Sequence, residues 1–171
     1  MEIKKREKAY DGYFKIYELT VEQQGNTFTR EQFDRGHAVS ALVYDTVQEQ
    51  YILAKQFRIG PEAEMIEIVA GMVDEGEQPE ESIRREIEEE IGYHVDKLEH
   101  LHTFYSSPGG STEHVELYYA EVSEQRSEGG GNPHENEQIE IVRFSAGELQ
   151  QEVFQDAKTI IAQQWARLHK K

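Results

Sequence analysis

The sequence predicts a mixed α/β fold in which helices pack on a mixed sheet. Three observations support this class. Apolar and polar residues alternate in several early segments, a helical period begins after residue 79, and strand-like segments then return before a final amphipathic helix. With 171 residues, the chain is long enough for one compact domain and a small appendage.

The early strands are predicted from their alternation. Segments 13–19, 37–44 and 50–57 have this pattern, and the five residues between the last two have the length of a hairpin connection. Segment 65–70 is a short apolar run, as expected of a buried strand. These segments place a sheet ahead of the first helix.

The first helix is predicted from Pro79 to Gly92. Proline suits a first turn, where its missing N–H would have no intrahelical partner, and glycine accepts the left-handed conformation that closes many helices. Ile83, Ile87 and Ile91 fall on one face of a helical wheel, at spacing i, i+4, i+8. These three isoleucines predict the buried side of the helix.

Strand and loop signals continue beyond the helix. Segments 94–105, 114–122 and 139–144 read as strands, separated by turn-rich loops at 106–113 and 127–138. The second loop has twelve residues without periodicity, which in a compact domain indicates either function or disorder.

Two helices are predicted at the C-terminal end. Ser145 and Glu148 have the spacing of a capping box, which opens the first of them. The second is predicted over residues 156–169. Its predicted apolar face comprises Ile160, Ile161, Gln164, Trp165 and Leu168.

Composition excludes several classes of function. The 34 acidic and 18 basic residues give a net charge of −16, which disfavours nucleic acids and anionic membranes as partners. There is no cysteine, so disulfide and thiolate chemistry are excluded. Residues 1–10 are polar, unlike a signal peptide, and no apolar run approaches the ~20 residues that span a bilayer. We therefore expect a cytoplasmic protein.

The negative charge is concentrated on the first predicted helix. Glu86 and Glu90 lie four residues apart beside the isoleucine face, with Glu89 next to them. Like charges at this spacing repel, whereas a divalent cation would reverse the sign of the interaction. Mg²⁺ prefers such carboxylate oxygens. The alternative is a solvated, charged helix face, which is how we interpret the i, i+4 pairs of Glu80 and Glu81 with the arginines that follow them.

Residues 71–93 resemble the Nudix box. All nine of its fixed positions are present: Gly71, Glu77, Arg85, Glu86, Ile87, Glu89, Glu90, Gly92 and Tyr93. The resemblance implies an α/β/α sandwich with a mixed sheet, in which the box forms a loop–helix–loop. It also implies Mg²⁺-dependent hydrolysis, with Mn²⁺ as a possible substitute, of a nucleoside diphosphate linked to another group.

The resemblance also assigns roles within the box. Glu86 and Glu90 are the implied principal metal ligands, with Glu89 and the Ala70 carbonyl in support. Arg85, which we assign to the catalytic group, is expected to pair with Glu77 and to orient the box.

The rest of the chain resembles the ADP-ribose pyrophosphatase branch of the family. Pro108 stands sixteen residues beyond Gly92, and Glu113 closes the same loop, where relatives contact the distal ribose. Residues 35–39, 67–77, 134–142 and 162–169 also resemble stretches of bacterial ADP-ribose pyrophosphatases. The stretches "GGGNPHENEQIEIVRF" and "DAKTII" are also similar to GDP-mannose hydrolases, so both adenine and guanine remain open as the base of the substrate.

The same branch implies a homodimer with exchanged N-terminal strands. We divide the chain into an N-terminal β region, 1–36, for dimerisation and base binding, and a Nudix domain, 37–171. Arg30 is expected to reach the nucleobase across the dimer, and Arg58 to contact the diphosphate. Tyr13 is either a base-stacking residue or a strand aromatic of a core or interface.

The water-activating base is expected in the loop 127–138. Glu135 matches the position of the base and Glu137 that of a residue assisting at the metals. The reverse order, a disordered acidic loop, and Glu89 as the base are the alternatives. A non-hydrolysing nucleotide sensor is a further alternative for the whole protein, disfavoured because every box carboxylate is retained.

Overall fold

The computed structural model describes residues 1–131 and 138–170. This part of the chain contains ten strands and three helices. In chain order they are β1 (Glu2–Asp11), β2 (Lys15–Gln23), β3 (Asn26–Asp34), β4 (His37–Asp45), β5 (Gln50–Arg58), β6 (Ala63–Glu67), β7 (Val69–Met72), α1 (Pro79–Ile91), β8 (Tyr93–Tyr105), β9 (His114–Gln125), β10 (Glu140–Phe144), α2 (Ala146–Gln151) and α3 (Ala157–His169). The mixed α/β class predicted from the sequence is confirmed.

Backbone contacts divide the described chain into two units. The first comprises Met1–His37 and Phe104–Val115, and the second comprises Ala38–Thr103 and the chain from Glu116 onward. The first unit thus contains the loop of Pro108 and Glu113 as well as the N-terminal strands.

The first unit contains a three-stranded antiparallel sheet in the order β1-β2-β3. A two-residue turn joins β2 to β3, where Gln24 and Gly25 both have positive φ, as hairpins of this length require. Strands β1 and β3 were not predicted, because charged residues interrupt the apolar alternation that marks a strand. All ten residues of β1 are exposed in this chain.

The second unit is built on a seven-stranded sheet. Five strands follow the order β10-β5-β4-β9-β8, while β6 pairs with β5 and β7 pairs with β4. The predicted strand 65–70 is interrupted at Ile68, whose N–H donates to Thr159 Oγ1 at 2.9 Å. That bond fastens the start of α3 to the sheet.

The two faces of this sheet bury different side chains. Alternate β4 residues Val39, Ala41 and Val43 share a buried cluster with Ile83, Ile87 and Ile91 of α1. On the opposite face, Tyr119 of β9 contacts Trp165 of α3, with ring centroids 5.1 Å apart. Helices therefore cover both faces, as in the predicted α/β/α sandwich, and the isoleucine face of α1 is confirmed.

The buried face of α3 differs from the prediction. Leu168 is 76% exposed and Ile160 is 37% exposed. The buried residues are instead Thr159, Ala162, Gln163 and Ala166. Small alanines let the helix approach closely, and buried Gln163 is satisfied by donating to the carbonyls of Leu149 and Glu152.

None of the helices within residues 1–131 and 138–170 is both long and apolar enough to cross a bilayer.

Candidate active site

The acidic helix α1 has the predicted ends. Pro79 is its first residue, and Gly92 follows it in the left-handed conformation with φ of 77°. The Gly92 N–H donates to the carbonyl of Glu88 at 3.0 Å, which closes the last turn. The helix therefore presents Glu86, Glu89 and Glu90 in its last two turns.

The three predicted ligand carboxylates have different environments. Glu90 is 1% exposed, at the edge of the core, and the side chain of Glu86 is mostly buried. Glu89 is more exposed and lies 3.6 Å from an Arg85 nitrogen. Burying a carboxylate is costly unless cations or hydrogen bonds compensate it. The two predicted principal ligands, Glu86 and Glu90, are thus the two most buried of the three carboxylates.

Gly71 makes room for the Glu86 carboxylate. A Cβ atom at position 71 would lie 2.0 Å from the Glu86 carboxyl carbon, so any other residue would collide with it. Gly71 and Ala70 sit in β7, which pairs with β4 through Ser40 and Ala70. The glycine of the box is therefore explained by close approach of strand and helix.

The donor set fits a hard divalent cation. The carboxylates of Glu86 and Glu90 lie one helical turn apart, and hard cations prefer such oxygen ligands. The Glu86 carboxylate occupies the space that a Cβ at position 71 would fill, and we call this space the cradle. Across the described residues, no three acidic or histidine side chains converge as a metal site. Arg85 donates to Glu86 at 2.7 Å and so compensates part of the charge of that carboxylate.

Arg85 clamps the strand, loop and helix of the box together. Its Nε and Nη2 donate to the two oxygens of Glu77 at 3.2 and 3.1 Å, and Nη2 also donates to the Met72 carbonyl. Ser82 Oγ, which is buried, donates to Glu77 at 2.6 Å. These hydrogen bonds from Arg85 and Ser82 lower the pKa of Glu77 to about 2. Sequence reasoning missed Ser82, which no box position marks.

Three glycines in the loop after β9 contact the end of α1. Gly130 and Gly131 donate their N–H groups to the carbonyls of Glu90 and Glu89, at 2.9 and 3.2 Å. Gly129 has φ of 65°, and a Cβ there would lie 2.6 Å from the Glu90 carbonyl. Ile139 N–H in turn donates to Gly130 O. The predicted base and its assistant, Glu135 and Glu137, lie outside the described residues.

Arg58 is held by a buried glutamate. Its Nε and Nη2 donate to the two oxygens of Glu67, at 2.7 and 3.1 Å, at the end of β5. The Glu67 side chain is 4% exposed and also accepts a hydrogen bond from Lys158 Nζ. Burial alone would raise the pKa of Glu67, but the hydrogen bond from Arg58 and the charge of Lys158 hold it below its ordinary value.

The first unit holds the remaining predicted residues. Glu113 accepts from Arg35 at 3.0 Å and from Ser106 Oγ at 2.6 Å. Pro108 lines a cavity of about 310 Å³, together with Gln32, Tyr105, Ser111 and Thr112.

Two further residues of this unit are surface residues. Tyr13 lies in the turn after β1, is 95% exposed and does not pack in the core of the described chain. Arg30 is exposed and stacks over Phe28 of its own strand at 4.4 Å.

Comparisons with known proteins identify the relatives of this chain. A model of the NUDIX domain matches residues 34–164. The GDP-mannose pyrophosphatase of Cronobacter sakazakii is 37% identical over 151 residues, covering 81% of this chain and 78% of that protein. The ADP-ribose pyrophosphatase of Escherichia coli K12 is 34% identical over 185 residues, covering 99% and 88%. A crystal structure described as an ADP compounds hydrolase matches with a TM-score of 0.82 at 21% identity, covering 99% of this chain and 95% of that one, a likeness of fold.

Proposed function

The chain belongs to the NUDIX domain family, and on that premise we propose that it hydrolyses the pyrophosphate bond of ADP-ribose in a Mg²⁺-dependent reaction. The products are AMP and ribose 5-phosphate. The observation that carries this proposal is the pair of buried carboxylates, Glu86 and Glu90, on a helix whose complete Nudix box approaches the sheet at Gly71. A relative that matches nearly the whole chain is an ADP-ribose pyrophosphatase.

A GDP-mannose pyrophosphatase is the second candidate. The Cronobacter relative with that name is slightly more similar in sequence, although it aligns with less of the chain. Its reaction has the same chemistry and gives GMP and mannose 1-phosphate. The two candidates differ in the base and the sugar, not in the bond that breaks.

The metal sites are assigned to the end of α1. Glu86, Glu90, Glu89 and the Ala70 carbonyl would hold Mg²⁺ or Mn²⁺, which neutralises the diphosphate charge and activates water when bound. Arg85 keeps the Glu86 carboxylate over Gly71 through their 2.7 Å contact. The role of Arg85 is thus to orient the Glu86 carboxylate.

Protein side chains supply the remaining chemistry. Arg58 donates charge-assisted hydrogen bonds to the substrate diphosphate. Glu135 accepts a proton from the attacking water, and Glu137 assists at the metals. Pro108 and Glu113 bind the distal ribose, with Glu113 presented by its contacts to Arg35 and Ser106.

The base pocket is assigned to a homodimer with exchanged N-terminal strands. The exposed apolar side chains of Ile3, Tyr10 and Tyr13 support this assembly, because exposed apolar patches are typical of protein–protein interfaces. Arg30 of one protomer then reaches the nucleobase held by the other, and Tyr13 stacks on it.

A product assay tests the substrate. Purified protein is incubated with Mg²⁺ and, separately, ADP-ribose, GDP-mannose and other nucleotide sugars, and the phosphorus products are separated and quantified. We expect AMP and ribose 5-phosphate with the highest kcat/KM on ADP-ribose. A higher value on GDP-mannose favours the second candidate. Binding of nucleotide sugars without turnover at any Mg²⁺ concentration would instead establish a sensor.

Mixed dimers test the assembly. Arg30→Ala subunits are combined with Glu86→Gln subunits, each of which is impaired alone. Hybrid dimers contain some sites with both residues intact, so activity should recover on mixing. A monomer by light scattering, or no recovery in hybrids shown to form, contradicts the shared site.

A further inference from the structure

A chain of four charged groups connects Arg58 to the start of α3. Glu67 lies between Arg58, which grips both of its oxygens, and Lys158, whose Nζ contacts Oε2. Lys158 Nζ also lies 3.0 Å from Asp156 Oδ1. Positive and negative groups therefore alternate from the end of β5 to the first turn of the last helix.

The Asp156 end of this chain is fixed by the backbone. Asp156 caps α3 and accepts from the Thr159 N–H at 2.9 Å and from the Thr159 hydroxyl at 2.6 Å. Thr159 Oγ1 accepts from the Ile68 N–H at 2.9 Å. Ile68, which follows Glu67 in the sequence, is thus hydrogen-bonded to the helical turn that contains Lys158. This bond fixes the position of Lys158 relative to Glu67.

The Glu67 carboxylate in turn fixes the Arg58 guanidinium. A two-point contact between a carboxylate and a guanidinium makes the two groups coplanar. Lys158 occupies the Oε2 side of the carboxylate and is itself largely buried. If Lys158 were absent, the Glu67 carboxylate could rotate about its last bond and the Arg58 plane would turn with it.

We propose that Lys158 is a positioning residue that acts through Glu67 to hold the Arg58 guanidinium in the orientation that binds the substrate diphosphate. The inference rests on the proposed function, in which Arg58 contacts the diphosphate. It gives a role to the "DAKT" stretch, residues 156–159, which lies about 90 residues along the chain from the strand it serves. Lys158 itself need not touch the substrate.

The test compares Lys158→Met with Lys158→Arg, each in the wild-type and in the Arg58→Ala background. Lys158→Met should raise KM for ADP-ribose about tenfold and leave kcat within about twofold, because the Arg58 contact exists in both the ground and the transition state. Lys158→Arg should restore most of the affinity. In the Arg58→Ala background, Lys158→Met should have no further effect.

Lys97→Met is the matched control, since Lys97 makes an exposed 3.5 Å pair with Glu121 on the same unit. An unchanged KM in Lys158→Met, or an equal loss of affinity with and without Arg58, overturns the proposal. Should the Met variant unfold, Lys158→Gln takes its place, with the fold checked by thermal unfolding and circular dichroism.

A binding measurement separates this inference from the proposed function. Calorimetric titration of ADP into metal-free protein requires no turnover. If the wild type hydrolyses no nucleotide sugar, the proposed function fails, while a Kd for ADP that rises about tenfold in Lys158→Met still supports the positioning role. An ADP affinity equal in the two proteins overturns it.

Discussion

Two arginine–glutamate pairs in the second unit have nearly the same geometry and very different origins. Arg85 donates twice to Glu77, eight residues earlier, and Arg58 donates twice to Glu67, nine residues later. The Arg85 cluster is completed by neighbours within thirteen residues. The Arg58 cluster is completed by Lys158, 91 residues from Glu67.

The two clusters also differ in burial. The Glu67 side chain is nearly inaccessible, whereas that of Glu77 is partly open to solvent. A buried carboxylate needs more compensation than an accessible one, which explains why Glu67 has two cationic partners where Glu77 has one cation and a hydroxyl. The Arg85 cluster is therefore assembled from residues close in sequence around α1, whereas the Arg58 cluster forms only once α3 has packed on the sheet.

The largest effect is expected next to the Arg85 cluster, at the two carboxylates that we propose as metal ligands. Glu86→Gln and Glu90→Gln should each lower kcat by roughly a hundredfold or more, because loss of a ligand exceeds the 10–100-fold typical of its supporting groups. Without metal, Glu90→Gln should be as stable as the wild type or slightly more so, since repulsion between the carboxylates is removed. Glu86→Gln should be less stable than Glu90→Gln, because it also loses the charge that Arg85 contacts at 2.7 Å. Glu88→Gln, on the exposed side of the same helix, is the control. Unchanged turnover at saturating Mg²⁺ would remove the residue concerned from the ligand set.

A smaller loss is expected when the cradle, rather than a ligand, is altered. In Gly71→Ala the new methyl group would overlap the Glu86 carboxyl group, which must then swing away. We expect Mn²⁺ affinity, measured by electron paramagnetic resonance, to fall by about tenfold to a hundredfold. Gly60→Ala is a matched control, as a Cβ there meets no atom within 4 Å. Equal Mn²⁺ affinity in the two variants would show that the cradle does not place Glu86.

The local cluster explains what could be predicted from the sequence. The ends of α1 follow from Pro79 and Gly92, and its buried face follows from isoleucines spaced for a helix. Both are short-range properties of the chain. The pairing of Arg85 with Glu77 was expected from the resemblance to the Nudix box, which contains both residues.

The Arg58 cluster shows which features could not be predicted from the sequence. Nothing within a few residues of Lys158 indicates that it meets Glu67, since that contact requires α3 to dock on the sheet. The same docking buries Thr159 and Ala162 instead of the larger apolar residues that periodicity favoured. Strands β1 and β3 were missed for a related reason, as their pairing with β2 overrides a weak local pattern.

A pH series would sharpen the contrast for Glu77. Its pKa in the folded protein, about 2, lies below its ordinary value of 4.5, so its ionised form stabilises the fold. That contribution is complete above pH 4.5 and is lost as the pH falls toward about 2. Urea unfolding of wild type and Glu77→Gln should therefore differ by a constant amount from pH 7 down to about pH 4.5 and converge below it. A difference that persists unchanged at the lowest pH would mean that Glu77 acts by shape rather than by charge.

The smallest effects come from one buried hydroxyl in each cluster. Ser82 donates to Glu77, and Ser82→Ala leaves that carboxylate with Arg85, so the loss should be about 1 kcal/mol of unfolding free energy. Thr159 is isosteric with valine, but Thr159→Val would leave the buried Ile68 N–H without its acceptor. An unsatisfied buried donor costs ~1–3 kcal/mol, so Thr159→Val should be the more destabilising change. Urea unfolding of both variants and of Thr159→Ser, which keeps the hydroxyl, decides the point. Thr159→Val could prove no more destabilising than Ser82→Ala while Thr159→Ser matches the wild type. In that case Thr159 does not hold the Arg58 cluster in place, and the fixed position of Lys158 must come from Asp156 alone.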